Sequence, residues 1–545
     1  MSPREQIVKI IEAAIKSAQK KEALPVFEAR VIIRVPAEKE HGDYTTPIAL
    51  EIAGAAHVPP RQIAEIIKKE IDEQKGIADI ARVEIAGAGF LNFFLTPEFA
   101  RKSLLSILAS RNFGSSEIGK KKKLNLEFLS ANPTGQVQVG NARLAFYGDV
   151  LGNILKYAGY SVTKEYYINN SKTSNQIQEF GKTALGQGEK YLTPYVEEKI
   201  AKLKTKLKRC KNAGEAGFLL ATEVNKDNKQ FLGKRAGVRF DVWFSEQSLY
   251  GRGLLKKTLA LLKRKGLVYE KDGATWLRTT SFGDDEDKVL VRSTGEFGYY
   301  LADIAYHGDK IKRGYTTIID VLGADHQGHV KPMQVAMEIL GYKGIFNVII
   351  GQLVQAKGGG KFSKRAGNAI SLAELVKEVG IDATRFFYLT RSMDAQMEFD
   401  IDLAKSQTKK NPVYYIQYSH ARISSILKKA QGSAARFGAA PNRAARLSKK
   451  NIPTDVIVGD GELALIKKLL RFQELIEDIA RDYQVHHLTT YALELAQEFN
   501  QFYRDYKVLT NDGSLRQARL AITTATGMVL RNCLKLLGIS APPKM

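Results

Sequence analysis

The stretch Leu124-Asn-Leu-Glu-Phe-Leu-Ser-Ala-Asn-Pro-Thr-Gly-Gln-Val-Gln-Val-Gly-Asn-Ala-Arg143 decides the fold of the central part of this chain. Residues 124–130 form an apolar run typical of a buried β-strand, and residues 141–160 have apolar positions three and four apart, which predicts an α-helix. A strand that leads through a short turn into a helix begins a βαβ unit. The stretch therefore predicts an α/β fold at the centre of the chain.

The same alternation of strands and helices continues to about residue 370. It predicts a doubly wound, Rossmann-type parallel sheet, which we assign to a central domain over residues 113–371. Residues from about 180 to 290 are highly charged and lack clear alternation, so we interpret them as an insertion in that domain.

The two flanks of the central domain have different patterns. Residues 1–112 combine amphipathic helices with an alternating strand at 29–35 and a strand pair over 81–95, which predicts a small α+β domain. Residues 372–545 predict an all-helical bundle, interrupted at 431–451 by a basic, small-residue-rich segment that resembles a flexible linker. The helical periodicity is found in 373–392, 411–430, 461–505 and 514–538.

The composition excludes several classes of protein. With 545 residues, of which 44% are hydrophobic, the chain can bury several cores, so global disorder and small disulfide scaffolds are excluded. The two cysteines, Cys210 and Cys533, have no metal-binding or disulfide-framework spacing, and we expect no structural metal. We also expect no signal peptide, no membrane segment and a cytoplasmic location, because the first helix is charged and no apolar run reaches about 18 residues.

The charge balance points to an anionic partner. Lysine and arginine number 82 against 58 acidic residues, a formal charge of +24, and a field of this sign concentrates phosphates near the surface. Nucleic acid is the leading interpretation, and a solvated basic surface is the alternative for any single cluster. Lysines cluster at 120–123, 197–212 and 263–265.

Two segments carry the features of a nucleotide site. Residues 130–143 join a strand end to a helix start, where free N–H groups attract phosphate, and Gly135 and Gly140 allow close backbone approach. Some 220 residues later, Lys357-Gly-Gly-Gly-Lys361-Phe-Ser-Lys364-Arg365 forms a glycine-rich cationic loop that can neutralise a triphosphate. Alone, this loop would be interpreted as an ordinary surface loop; the two segments together favour an ATP site.

These segments resemble the two signature motifs of class I aminoacyl-tRNA synthetases, at Gln138-Val-Gly-Asn141 and at Lys361-Phe-Ser-Lys364-Arg365. Further segments, in family order and over nearly the whole chain, are similar to the arginyl-tRNA synthetase family. They are Glu127-Phe-Leu-Ser-Ala-Asn-Pro-Thr-Gly135, Glu165-Tyr-Tyr-Ile-Asn-Asn170, Tyr299-Tyr-Leu-Ala-Asp-Ile-Ala-Tyr-His307, Leu322-Gly-Ala-Asp-His-Gln-Gly328, Asp382-Ala-Thr-Arg-Phe-Phe387, Asn411-Pro-Val-Tyr-Tyr-Ile-Gln-Tyr-Ser-His-Ala-Arg422 and the last 17 residues, 529–545.

The resemblance implies an arginine–tRNA ligase that activates arginine with ATP and Mg²⁺ and transfers it to the 3′ adenosine of tRNA(Arg). It implies a catalytic central domain, an N-terminal domain that contacts tRNA, a C-terminal domain that reads the anticodon, and partners limited to tRNA, arginine and ATP. Nothing in the sequence demands a dimer, and we expect a monomer.

Two departures from the family pattern are visible. Both signature histidines are replaced, by Gln138 and Asn141, which donate hydrogen bonds but carry no titratable charge. Neutral donors suffice if the reaction is stabilised electrostatically, so we expect an active enzyme; the alternatives are a catalytically impaired tRNA-binding or regulatory paralogue, and an ATP-dependent nucleotidyl transferase that acts without RNA. The stretch 169–176 has two extra residues, which leaves its local geometry open.

The resemblance also implies the residues of each site. Tyr299 and Asp303 are four apart on a predicted helix, so one face presents both to a guanidinium. The residues implied for arginine are Glu127, Asn132, Tyr299, Asp303 and Gln327. Those implied for ATP are Gly135, Gln138, Gly140, Asn141, Gly323, Asp325, His326, Lys361 and Lys364, among which Gln138, Asn141, Lys361 and Lys364 are assigned to catalysis. Those implied for tRNA are Tyr44, Phe90, Asn92, Tyr414, Tyr418 and Arg422.

Overall fold

The N-terminal part packs helices on a small antiparallel sheet with its own core. The computed structural model describes residues 2–36, 38–74, 79–357, 370–436 and 452–545. The N-terminal elements are α1 (Pro3–Lys20), β1 (Tyr44–Thr46), α2 (Ile48–Ala56), α3 (Pro60–Asp72), β2 (Ile80–Ala86), β3 (Phe90–Leu95) and α4 (Pro97–Ala109). The strand pair predicted for 81–95 is confirmed as β2 and β3. The strand predicted for 29–35 is wrong: this segment makes one bridge, Arg34 to Thr45, at the edge of the three-residue strand β1.

A five-stranded parallel sheet forms the centre of the molecule. Its first strand is β4 (Lys123–Phe128), followed by α5 (Val139–Tyr157) and β5 (Ser161–Ile168). The strand order is β11–β10–β4–β5–β6. Strand β4 therefore lies in the middle, with β5 and β6 added on one side of it and β10 and β11 on the other. The remaining elements up to the edge of the sheet are α6 (Asn175–Ala184), α7 (Pro194–Leu207), α8 (Ala213–Lys234), β6 (Val242–Ser245), α9 (Gln247–Gly251), α10 (Leu254–Arg264), β7 (Val268–Lys271), β8 (Ala274–Leu277), β9 (Lys288–Val291), α11 (Tyr299–Lys312), β10 (Thr317–Gly323), α12 (Val330–Ile339) and β11 (Ile345–Gly351).

This order confirms the predicted doubly wound sheet and places its switch point between β4 and β10. The range predicted as an insertion, about 180–290, contains β6, which pairs with β5 as the edge strand. With only four residues, β6 is too short to produce a visible apolar run. The rest of that range forms the helical group α6–α8 and a small antiparallel sheet of β7, β8 and β9.

The C-terminal part is helical apart from two short strands, as predicted. Its elements are β12 (Val354–Ala356), α13 (Leu372–Val379), α14 (Ile381–Tyr388), β13 (Met397–Phe399), α15 (Ile401–Lys405), α16 (Pro412–Arg436), α17 (Asp460–Asp482), α18 (His486–Asp505) and α19 (Gly513–Leu537). The helices predicted for 373–392 and 461–505 are each divided in two, at Gly380 and Tyr483, where φ is positive. The linker predicted for 431–451 lies mainly outside the described residues.

One hydrophobic core runs from the sheet into the helical bundle. At its centre the Arg385 guanidinium of α14 is fully buried and donates to Asp149 of α5 at 2.6 Å and to the carbonyl of Leu537 at the end of α19. Losing one partner of a buried ion pair strongly destabilises a folded protein, so this contact holds the bundle against the sheet. No helix among the described residues is long and apolar enough to span a bilayer.

Candidate active site

The candidate site lies at the carboxyl ends of β4 and β10, where a doubly wound sheet leaves a crevice for ligands. Immediately after β4, Leu129 and Ser130 adopt left-handed backbone conformations, with φ of 72° and 35°. Such conformations cost about 1–3 kcal/mol in a non-glycine residue and persist only where the surroundings hold them. Here the Ser130 hydroxyl donates to Glu127 and accepts from the Tyr167 N–H, at 3.0 and 3.1 Å. The sharp turn therefore ties the end of β4 to the end of β5.

A cavity of about 260 Å³ opens beside this turn. Three of the five residues predicted for arginine line it: Asn132, Tyr299 and Asp303. The predicted helix is present as α11, which places Tyr299 at its start and Asp303 one turn on. The other lining residues are Tyr167, Asn169, Ser174, Gln176, Glu246 and Ala302.

Two carboxyl groups line this cavity, those of Asp303 and Glu246. Burial, together with the charges of Glu246 and Glu127 and against the opposing effect of His307, raises the pKa of Asp303 to about 7. Burial also raises the pKa of Glu246, which is only 6% exposed. Within the described part of the chain neither carboxylate forms an ion pair. A cation that entered the cavity would lower both pKa values and be bound in return.

Glu127 lies below the cavity rather than in its lining. Its carboxylate accepts from Lys310 Nζ at 2.7 Å, and the same ammonium donates to Asp320 at 2.7 Å. His307 Nε2 donates to the second oxygen of Asp320 at 2.8 Å. The two acids raise the pKa of Lys310 against the effect of burial. The charge of Glu127 is therefore already balanced, whereas Asp303 and Glu246 have no cationic partner within the ranges that the structure describes.

Glu246 was not predicted from the sequence. It follows β6, the short strand inside the range interpreted as an insertion, and it holds the stretch 169–176 by accepting from the Ser171 N–H at 3.1 Å. The cavity residues Asn169 and Gln176 belong to that stretch. Its departure from the family pattern is the sequence feature that pointed to an altered local structure here. Gln327, by contrast, lies in an exposed turn and is not among the cavity residues.

The residues predicted for ATP lie on the two sides of the switch point. Gln138 immediately precedes α5, its Nε2 donates to the Gln136 carbonyl, and Asn141 lies in the first turn of the helix. The backbone of this turn is held from α8, where Asn228 donates to the Gly135 carbonyl at 3.0 Å and accepts from the Val137 N–H at 3.3 Å. Gly140 is exposed. Across the crevice, the predicted residues Gly323, Asp325 and His326 end β10 and begin the following 3₁₀ turn.

The predicted catalytic lysines, Lys361 and Lys364, lie outside the described residues. The chain that follows them is anchored at the ATP-side turn, because Ile370 accepts from the Val139 N–H and Leu372 donates to the Val137 carbonyl. The chain before them is held by an ion pair of 2.7 Å between Lys357 and Asp400. Elsewhere in the described ranges, potential metal ligands converge at Glu38, Glu40 and His41, which are all exposed.

Two of the residues predicted for tRNA line a second cavity, of about 730 Å³, on the helical bundle. The Arg422 guanidinium lies 4.8 Å from the Tyr418 ring and 5.3 Å from the Tyr503 ring, and it donates to Asn500 at 2.6 Å. Tyr414 stacks on Tyr418 with ring centroids 6.4 Å apart. The cavity thus presents aromatic faces together with cations, a combination that suits unpaired bases and phosphates. Its further lining residues include Lys429, Arg504, Lys507, Lys544 and Met545.

The three N-terminal residues predicted for tRNA are placed differently. Tyr44 is buried and its hydroxyl donates to Glu474 of α17, so it fastens the N-terminal part to the bundle. Asn92 is also buried, opposite Thr45 in the small sheet. Phe90 is 37% exposed and is the member of this set that a partner can reach in this structure.

Comparison with known proteins gives a consistent result over the whole chain. Three family models match: the arginyl tRNA synthetase N terminal domain over residues 5–95, the catalytic domain of tRNA synthetases class I (R) over 188–424, and the DALR anticodon binding domain over 416–545. The chain is 40% identical to the arginine–tRNA ligase of Desulforamulus reducens, with 99% of each chain covered, and 40% identical to that of Bacillus subtilis, with 100% of each covered. Among solved structures, it matches the arginyl-tRNA synthetases of Thermus thermophilus (TM-score 0.79, 23% identity, 100% of both chains) and Plasmodium falciparum (TM-score 0.77, 18% identity, 99% of both chains), which supports the fold.

Proposed function

Because this chain belongs to the arginyl-tRNA synthetase family and is an arginine–tRNA ligase, we propose that the cavity lined by Asp303 and Glu246 binds the substrate arginine and that the turns after β4 and β10 bind ATP. The observation that carries this assignment is the pair of buried carboxyl groups with raised pKa values in one cavity.

Arginine recognition follows from the shape of its side chain. A guanidinium has five N–H donors in a planar fork, and carboxylates are its strongest acceptors. Asp303 and Glu246 supply two carboxylates, while Tyr299 and Asn132 contribute polar groups at the rim. A substrate that leaves such acids unpaired is rejected strongly, by a factor on the order of 10⁴, so lysine and citrulline are excluded without a separate editing step.

The chemistry requires position and charge compensation. An oxygen of the arginine carboxylate attacks the α-phosphorus of ATP, the bond to the bridging oxygen breaks, and pyrophosphate leaves, with Mg²⁺, when bound, supplying further positive charge to it. A ribose hydroxyl of the terminal adenosine of tRNA then attacks the carbonyl carbon, and AMP leaves. Gln138 and Asn141 donate hydrogen bonds to the nucleotide as neutral groups. Lys361 and Lys364 compensate the charge that develops on pyrophosphate.

The tRNA-binding surfaces are assigned on the same basis. The bundle cavity around Tyr418 and Arg422 takes unpaired anticodon bases, and the N-terminal part, with Phe90 exposed, contacts another region of tRNA. We divide the chain into a tRNA-contacting domain at 1–112, a catalytic domain at 113–371 and an anticodon-binding domain at 372–545. The enzyme acts as a monomer in the cytoplasm.

One assay tests the arginine site and the alternatives together. ATP–pyrophosphate exchange is measured with arginine, lysine and citrulline, with and without tRNA, alongside charging of tRNA. Exchange and charging with arginine, but not with lysine or citrulline, would support the assignment. Binding of tRNA without exchange would support an impaired regulatory protein, for which the comparisons provide no support, and exchange with lysine at a similar rate would show that the two carboxylates do not select the substrate.

A further inference from the structure

We infer that four cations beside the arginine cavity, Lys172, Lys208, Arg209 and Lys211, bind backbone phosphates of tRNA where its acceptor end enters the active site. We call these residues the basic corner. The inference rests on the proposed function, because it takes the cavity of Asp303 and Glu246 as the arginine site.

The basic corner is formed by two segments in direct contact. Lys208, Arg209 and Lys211 lie at the C-terminal end of α7 and in the turn that leads to α8. The start of α8 packs tightly on the segment that carries Lys172: a Cβ on Gly214 would lie 2.4 Å from the Lys172 carbonyl oxygen, so only glycine fits there. The Lys172 ammonium lies 5.3 Å from the ring of Phe218, one turn further along α8.

The segment of Lys172 is also part of the arginine cavity. The Lys172 N–H donates to Gln247 at 2.8 Å, and the neighbouring Ser171 N–H donates to the cavity residue Glu246. Ser174, two residues after Lys172, lines the cavity itself. The basic corner therefore adjoins the cavity through Lys172, which lies in the stretch 169–176.

The side-chain cations of the basic corner form no ion pair within the described part of the chain. Lys208, Arg209 and Lys211 are exposed, and one carboxylate, that of Glu215, accepts from the backbone N–H of Lys211 at 2.9 Å, so the corner keeps a net positive charge. Earlier in α7 the pattern differs, since Lys199 pairs with Asp227 and Lys202 with Glu223. Cations near the C-terminus of a helix stabilise it slightly, but that effect does not account for Lys172, which lies outside α7.

A polyanion is the partner that fits this charge, and tRNA is the polyanion that must reach the cavity. Its terminal adenosine has to enter the active site, so the phosphates just before it pass the cavity rim. Lysine and arginine at such a rim neutralise phosphates and release counterions, which makes binding depend on salt.

The test compares two triple variants that remove equal charge. One is Lys208→Gln, Arg209→Gln, Lys211→Gln; the control is Lys121→Gln, Lys123→Gln, Lys312→Gln, three exposed cations at the amino-terminal edge of the sheet, opposite the cavity. The dissociation constant for full-length tRNA is measured at several KCl concentrations, and the affinity for arginine is measured by calorimetry. We expect the corner variant to bind tRNA about tenfold more weakly at 150 mM salt, with a salt dependence reduced by about one unit of slope per lost phosphate contact, while the control changes by less than about twofold.

Hydroxyl-radical footprinting of the tRNA at saturating enzyme locates the contact. In the corner variant, protection should be lost at the backbone of the acceptor end and kept at the anticodon. Equal weakening by both variants, or an unchanged footprint, would overturn the inference. The arginine site is tested separately by the arginine affinity of an Asp303 variant. If arginine binding does not depend on Asp303, the proposed function fails whatever the tRNA measurements show.

Discussion

Replacing Asp303 by asparagine tests the arginine cavity most directly. The change keeps the size of the side chain and removes one of the two carboxylates that line the cavity. Removing one partner of a buried charged contact costs about 2–5 kcal/mol, which corresponds to arginine binding that is roughly 30-fold to 4,000-fold weaker. Glu338→Gln on α12 is the matched control, because it removes one exposed carboxylate and should change arginine affinity by less than about twofold.

The raised pKa of Asp303 adds a pH dependence with a definite sign. With a pKa of about 7 in the empty cavity, the carboxyl is mostly protonated at pH 6 and mostly ionised at pH 8. A bound guanidinium favours the ionised form, so arginine must displace the proton and binds more weakly at low pH. For a single site the affinity falls by about tenfold from pH 8 to pH 6, and about half a proton is released at pH 7.

Isothermal titration calorimetry measures both effects. Arginine is titrated at pH 6, 7 and 8 in buffers of different ionisation enthalpy, which reports the number of protons released. The wild-type protein and the Glu338→Gln control should show the pH dependence, and Asp303→Asn should lose most of it together with its affinity. Wild-type affinity in Asp303→Asn, or a pH dependence that survives the substitution unchanged, would refute the placement of the guanidinium beside this carboxylate.

Three further predictions concern other parts of the molecule. Lys364→Ala should lower the rate of ATP–pyrophosphate exchange by about 10²–10³ with little change in arginine KM, since it removes charge compensation in the transition state; a variant with wild-type turnover would exclude that role. Arg422→Ala should raise the KM for tRNA by about tenfold in charging assays, because it removes a cation held against two aromatic rings, while arginine affinity in calorimetry stays the same. Arg385→Ala should cost about 1–3 kcal/mol of stability, because it leaves the carbonyls of Leu537 and Ala236 without their buried donor while Asp149 keeps its ion pair with Lys164; an unchanged thermal unfolding midpoint would show that the sheet and bundle do not depend on this contact.

The sheet and its ligand edge were predictable because they depend on local signals. The apolar run of β4, the turn after it and the periodicity of α5 are all contiguous in sequence, and parallel strands place their carboxyl ends together. The spacing of Tyr299 and Asp303 likewise needed only the helical repeat. Where a short element forms only through its neighbours, as β6 does beside β5, periodicity over four residues does not show it.

Glu246 shows what such local signals miss. Its position at the cavity depends on the pairing of β6 with β5 and on the hydrogen bond to the Ser171 N–H, neither of which leaves a mark in the sequence around it. The sequence also does not show which acids near the cavity are paired with a cation. Glu127 is conspicuous after β4, but Lys310 neutralises it from a distant helix, so the free acid that accompanies Asp303 is Glu246.

The helical group α6–α8 connects the arginine cavity, the ATP-side turn and the basic corner. Helices α6 and α8 touch backbone to backbone, since a Cβ on Gly181 would lie 1.7 Å from the Ala213 carbonyl oxygen, and such a contact leaves no room for sliding. The cavity residue Ser174 is the N-cap of α6, and α8 holds the Gly135 carbonyl through Asn228. A polyanion bound at the corner, which is the end of α8 nearest α6, would therefore contact the same pair of helices that holds the proposed arginine cavity and the ATP-side turn.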